Sequence, residues 1–184
     1  MFSKLIIRII FALTGWTYNN QLPPDIKKCV MIAAPHTSNW DFFYTRAAFV
    51  IMDIPVKFTI KRSYMRFPYG PLIRYLGGIG IDRRPKKEGE ERPSMVQVMA
   101  DLFHEHDELI LLVTAEGTRS MTKHWKTGFY HIAAQANVPI ALGYLDYKKK
   151  EAGVNTVIYP SGDMKQDMRE IMNFYKNITP HTPE

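Results

Sequence analysis

The chain has 184 residues, with 24 Lys and Arg against 18 Asp and Glu and a formal net charge of +6. A chain of this length buries about 70% of its unfolded surface, enough for one domain with a real core, and its single cysteine excludes an internal disulfide. No internal repeat, low-complexity tract or nucleic-acid-binding motif accompanies the basic balance, which points to an anionic surface or substrate and away from nucleic acid.

Residues 1–16 set Phe2, Leu5, Ile6, Ile9, Ile10 and Leu13 around Lys4 and Arg8, with Trp16 and Tyr18 just beyond. The apolar run after Arg8 is far short of the ~20 residues that span a bilayer, and no small-residue cleavage site of a signal peptide follows it. The pattern predicts an amphipathic helix lying in a membrane interface, its aromatics at headgroup depth. Residues 1–18 are read as this interfacial helix, not as a separate domain, and 19–184 as the folded domain.

Residues 29–34 are an unbroken apolar run of strand length, and a helical pattern covers 39–52. Between them stand His36 and Ser38, with Asp41 five positions after the histidine. Ser38 and Asp41 fit a helix N-cap with an acid in the first turn. The same spacing also suits a general base. A carboxylate one turn into a helix reaches one imidazole nitrogen, fixes its tautomer and leaves the other to take a proton. The place of His36, after a buried strand and before a helix, is where α/β sheets put their chemistry.

A strand is predicted over 56–60, with Lys61 at its end, and another over 79–81. Gly77 and Gly80 around the second are not a dinucleotide fingerprint, because the spacing is wrong and no helix follows. They admit close approach of a neighbouring backbone or a substrate. Asp82 and Arg83 read as an ion pair that also offers Arg83 to a phosphate. Residues 84–92 are a charged loop and not a domain boundary; a helix follows over 93–106. His104 and His106, at its polar end, are read as surface groups and not as metal ligands.

Residues 109–113 form the most apolar strand candidate and run directly into Glu116, Gly117, Thr118 and Arg119. Gly117 lets the backbone turn close to a ligand. Arg119 presents a planar fork suited to phosphate, Thr118 a hydroxyl, and Glu116 a carboxylate that orients the arginine. The bland alternative is a solvated loop with an ordinary Glu–Arg pair. A helix over 125–136 closes at Asn137, strands follow over 138–145 and 154–159, and a Met-rich helix over 163–177 starts at Asp163. Cys29, inside an apolar strand, is a core residue and not a nucleophile. The alternation indicates an α/β fold, a single domain with a mostly parallel mixed sheet flanked by helices.

Taken together, these blocks resemble the lysophosphatidic-acid acyltransferase superfamily, the glycerolipid acyltransferases built around a His-x4-Asp motif. Four ordered blocks carry the likeness: His36 to Asp41; Gly77 to Arg83, with Lys61, Pro68 and Gly70 upstream; Glu116 to Ser120; and Val138, Pro139 and Ile140. The resemblance implies a glycerol-3-phosphate acyltransferase-like fold, with His36 as general base and Asp41 as its partner. It implies that Arg83, Glu116, Gly117, Thr118 and Arg119 bind the phosphate of the acyl acceptor, and that Pro139 shapes the acyl-pocket wall. Lys61 and Ser38 are candidates for an oxyanion or substrate contact.

The implied reaction moves a fatty acyl group from acyl-CoA or acyl-carrier protein to a lysophospholipid-like acceptor, 1-acyl-glycerol-3-phosphate. It needs no metal or cofactor and forms no acyl-enzyme. The implied location is peripheral (monotopic), at the cytoplasmic face of an anionic membrane surface. The chain departs from the family pattern at Thr114 and Ala115, where Phe and Pro are usual, at Pro35, and at Arg62 and Ser63. These departures leave His36 and Asp41 untouched but open the choice of acceptor to a non-phosphate lipid or amphiphile, such as an aminolipid or glycolipid. The alternative from another class is an inactive anionic-lipid-binding module.

Overall fold

A computed structural model of the chain describes residues 2–34, 39–82, 93–115 and 125–181. In chain order the elements are α1 (Phe2–Thr14), β1 (Thr17–Asn20), β2 (Lys28–Ala34), α2 (Asn39–Ile51), β3 (Val56–Lys61), a 3-10 turn (Arg62–Met65) and α3 (Gly70–Tyr75). Then come β4 (Gly78–Ile81), α4 (Met95–Glu105), β5 (Leu109–Val113), α5 (Gly128–Ala136), β6 (Ile140–Asp146), β7 (Glu151–Ile158) and α6 (Met164–Tyr175). Among the described residues the strands make one seven-stranded sheet in the order β1-β7-β6-β2-β5-β3-β4. The five strands from β6 to β4 run parallel; β7 is antiparallel to β6, and β1 follows β7. The α/β fold with a mostly parallel mixed sheet is therefore borne out.

Strands covered on both faces need apolar residues at every position, not at alternate ones. This is why β2 and β5 read as unbroken apolar runs. On one face Val30, Ile32, Leu109, Leu111, Ile140 and Leu142 pack against α4, α5 and α6. On the other, Cys29, Met31, Ile110 and Ala141 pack against α1 and α2.

Helix ends follow the local chemistry. Ser94 caps α4, its hydroxyl accepting from Gln97 N at 3.0 Å, and Asp163 caps α6 in the same way through Gln166 N. Asn137 adopts a left-handed conformation (φ 52°) and closes α5, with Val138 N donating to Ala133 O and Asn137 N to Ala134 O. Gly15 (φ 74°) closes α1 by the same pair of bonds, from Trp16 N to Phe11 O and from Gly15 N to Ala12 O.

Two features differ from the sequence reading. Trp16 is not at an interface; it is buried, stacked on Tyr44 with ring centroids 4.4 Å apart. The closing turn of α1 folds Trp16 back toward Phe11, so that both rings join the core. In addition, residues 17–20 are a strand, β1, paired with β7, so a boundary after Tyr18 falls inside a sheet strand. The polar sequence of β1 carries no apolar alternation, and its pairing partner lies more than 130 residues away.

Asp167, buried in the first turn of α6, ties that helix to α5. It accepts from Tyr130 Oη at 2.8 Å, Ser161 N at 2.8 Å and Ser161 Oγ at 2.7 Å. Burial alone would raise its pKa, but these three donors outweigh burial and hold it below its ordinary 3.8. The folded state thus favours the carboxylate. Its stabilisation is complete above the unfolded value near 3.8 and disappears as pH falls through the lower folded value. Equilibrium denaturation of wild type and Asp167→Asn should therefore show the larger stability gap at pH 7 and a narrowing gap on acidification below about pH 4.

Candidate active site

The hydrogen-bond ladders set the ends of four neighbouring strands close to one level. Ile32 pairs with Val113, Phe58 with Leu112, and Lys61 with Ile81. Continuing these pairings sets Ala34, Lys61 and Ile81, the last residues of β2, β3 and β4, level with Ala115, just past β5. Neighbouring strands lie about 4.8 Å apart, so the four ends span roughly 15 Å. In the sequence His36 follows Ala34 by two positions, Asp82 and Arg83 follow Ile81, and Glu116 follows Ala115.

The connections leaving β2 and β5 go opposite ways. β2 leads through α2, on one face of the sheet, across β5 to β3, whereas β5 leads through α5, on the other face, across β2 to β6. Adjacent parallel strands that diverge in this manner open a crevice at their carboxyl ends, the usual ligand position in open α/β sheets. Lys126 N donates to Ala115 O at 2.9 Å, so the chain that leaves β5 with Glu116 returns beside its point of departure.

Asp41 lies in the first turn of α2, where the helix dipole favours a carboxylate. Its side chain is 3% exposed, and its Oδ1 accepts from Tyr147 Oη at 2.7 Å. Burial, then the hydrogen bond to Asp41 and the negative charge it brings, push the Tyr147 phenol well above its ordinary range, so it stays a donor. Tyr147 is held edge-on by Trp16, at 5.1 Å between centroids, and by Tyr44 at 6.3 Å. The carboxylate is therefore positioned by an aromatic group drawn from α2 (Tyr44), the residue after β6 (Tyr147) and the second residue after α1 (Trp16).

Beside Asp41 lies a cavity of about 290 Å³, between α2 and strands β3 and β5. Ala33, Phe49, Val56, Phe58 and Leu112 make its wall mainly apolar, while Asp41 and Arg46 add charge. Arg46 Nε is buried there with no hydrogen-bond partner among the described residues. α2 makes most of its sheet contacts with β6 and β7, so it packs less closely over β3 and β5. A larger hollow of about 630 Å³ opens at the opposite end of the sheet, around Asp53, Pro55 and Leu109. It is remote from the strand ends that lead into the sequence motifs.

Of the candidate residues read from the sequence, His36, Ser38, Arg83, Glu116, Gly117, Thr118 and Arg119 lie outside the described residues. Lys61 is exposed at the end of β3, on the same side of the sheet as Ala34. Pro139 is not brought to that side. It precedes β6, where its carbonyl accepts from Val30 N, and it does not line the cavity. Cys29 is fully buried, and burial pushes its thiol up to about 12, as expected of a core residue. His106 Nδ1 bonds the Leu102 carbonyl at 2.9 Å, within its own helix end.

Tyr147 and Arg46 were not foreseen. Nothing in the sequence near Tyr147 connects it to Asp41, 106 positions earlier, and Arg46 sits mid-helix outside any motif. A cue to Arg46 was available in its charge, since it stands in the middle of a helix whose surrounding residues are mostly apolar or aromatic.

An acyltransferase family model matches residues 17–141, from the start of β1 into β6. None of the curated proteins matches the chain by sequence. Among solved structures, the fold is similar to the crystal structure of the 1-acyl-sn-glycerophosphate (LPA) acyltransferase, PlsC, from Thermotoga maritima. The TM-score is 0.59 at 15% identity, over 95% of this chain and 75% of that one.

The Tyr147–Asp41 bond has a measurable consequence. Tyr147→Phe removes one donor from a buried carboxylate, which should lower unfolding free energy by about 1.5–3 kcal/mol in urea denaturation. In Asp41→Asn the same substitution should cost less, because the bond then joins neutral partners.

Proposed function

The chain belongs to the acyltransferase family, and from that premise we propose that it moves a fatty acyl group from an acyl thioester to a hydroxyl of a lysophospholipid-like acceptor. The acceptor is 1-acyl-glycerol-3-phosphate, and the donor acyl-CoA or acyl-carrier protein. The observation that carries this reading is the alignment of strand ends. β2 and β5 are paired neighbours that diverge at their carboxyl ends, and each leads directly into one half of the proposed chemistry.

In this reading His36 takes the proton of the acceptor hydroxyl, and the freed oxygen attacks the thioester carbonyl carbon. The carbon–sulfur bond then breaks, the thiol leaves with a proton, and an ester remains. Asp41 orients His36 and stabilises its protonated form; such base catalysis is typically worth about 10²–10⁴-fold. The buried setting of Asp41 suits that task, because a carboxylate fixed by Tyr147 does not have to reorganise when the imidazolium forms. Arg83, Glu116, Gly117, Thr118 and Arg119 hold the acceptor phosphate, and Lys61 and Ser38 are contacts to the developing oxyanion or to substrate. The apolar cavity beside Asp41 takes part of the acyl chain. An activated thioester needs alignment and a base, and no step calls for a metal or cofactor.

The same reading puts the protein on a membrane. α1 buries Phe11 against the core but leaves Leu5, Ile6, Ile9 and Leu13 exposed along its outer side. No helix among the described residues is long and apolar enough to cross a membrane. A helix with one face in the core and the other apolar and open is suited to lie in the interface plane, as a peripheral anchor at an anionic cytoplasmic surface.

Purified protein incubated with lysophosphatidic acid and palmitoyl-CoA or palmitoyl-carrier protein should yield phosphatidic acid, and folded His36→Ala should yield none. Absence of product with either donor would retire this acceptor. Arg119→Ala should raise the acceptor KM by an amount worth about 1.5–3 kcal/mol, the value of one charge-assisted phosphate contact. An unchanged KM would favour an acceptor without phosphate.

A further inference from the structure

The connection from β3 to β4 is not a plain loop. Its 3-10 turn and α3 fold back onto the edge of the sheet, and three glycines make that close contact possible. A Cβ on Gly80 would come within 2.5 Å of Met65 Cγ, and one on Gly78 within 2.4 Å of Ile73 Cγ2. A Cβ on Gly70 would lie 2.0 Å from the Met65 carbonyl oxygen. Arg74 closes the unit by donating from Nη1 to that carbonyl oxygen at 3.3 Å.

This seating uses Met65 and Ile73 on the inner side and turns the large residues outward. Tyr64, Phe67, Tyr69, Leu72 and Tyr75 are 57%, 89%, 66%, 58% and 78% exposed. Large apolar groups so concentrated on a rigid surface mark an interaction site. The charge pattern identifies the partner. Lys61, Arg62, Arg66 and Arg74 belong to the same segment, and no acidic residue occurs from 54 to 81.

We propose that residues 61–75 form a second membrane contact, distinct from α1, that seats on bilayers containing anionic phospholipid. Tyrosine and phenylalanine rings enter the headgroup region with their apolar bodies inward, while arginines engage lipid phosphates from the same surface. A charge match alone would also suit an acidic protein. The density of exposed aromatic rings favours lipid, since an interface accepts each ring without a matching pocket. The contact begins two residues after Thr59, which lines the cavity beside Asp41. Lipid held there lies at the carboxyl-terminal side of the sheet, where a lipid-borne acceptor has to arrive.

The test is flotation of the full chain with phosphatidylcholine vesicles, with and without phosphatidylglycerol, at low and high salt. Two variants are compared with wild type: Phe67→Ser/Tyr69→Ser and Arg62→Ser/Arg66→Ser. All four side chains are exposed, and matching circular-dichroism melts establish that both variants fold. The aromatic variant should partition about tenfold more weakly onto either vesicle. The arginine variant should lose about tenfold on anionic vesicles only, together with much of the salt dependence. Wild-type partitioning by both variants would overturn the proposal and leave α1 as the membrane contact. Intact vesicle binding with selectively reduced turnover of an acyl-carrier-protein thioester would also overturn it, in favour of protein docking. Vesicle binding is measured without turnover, so a failure of the acyl-transfer reading would not be mistaken for a failure of this one.

Discussion

The insertion of β5 between β2 and β3 is the constraint on which the rest of the structure depends. β5 pairs in parallel with both neighbours, and each ladder admits one register if the apolar residues of all three strands are to stay buried. A slip of one residue would turn every side chain of β5 to the opposite face, exchanging the Leu109–Leu111 set with Ile110. The register that avoids this also aligns the ends of β2, β5, β3 and β4. Because β2 and β5 then diverge to opposite sides, the same packing that buries the core opens the crevice. Site and core are thus two consequences of one set of ladders.

The amino-terminal helix is joined to this arrangement and is not an appendage. Its closing turn at Gly15 directs Trp16 into a stack with Tyr44 and an edge contact with Tyr147, whose hydroxyl holds Asp41. One side of α1 contributes aromatic mass to the surroundings of a buried carboxylate, and the other side stays apolar and exposed. A helix that served only as a tether would not need Phe11 and Trp16 in the core. The glycines of β4 do comparable work at the sheet edge: the backbone approach they permit is filled by Met65 and Ile73, which fixes the orientation of the aromatic residues beyond.

Much of the fold was legible because its cues are local. The apolar runs of β2 and β5, the Met-rich face of α6, Asp163 at its start and Asn137 at the close of α5 act within a few residues of where they stand. Asp41 in the first turn of a helix after a buried strand was legible for the same reason. β1 was not, since its polar residues become a strand only through pairing with β7. The short α3 was missed because three glycines and a proline obscure any helical period there. Trp16 was assigned to an interface because sequence cannot distinguish an aromatic facing lipid from one folded back by a Gly15 turn.

The amino-acid sequence by itself determined the alternation of strand and helix, the parallel sheet and the order of the motif blocks, because burial on two faces and helix termination leave short-range patterns. Only the tertiary structure decided what stands beside what. It brought Tyr147 to Asp41, set Pro139 at the far end of the sheet from the cavity, buried Trp16 and turned Phe67 and Tyr69 outward. Each of these depends on strand order and register, and residues paired across a hundred positions leave no periodicity between them.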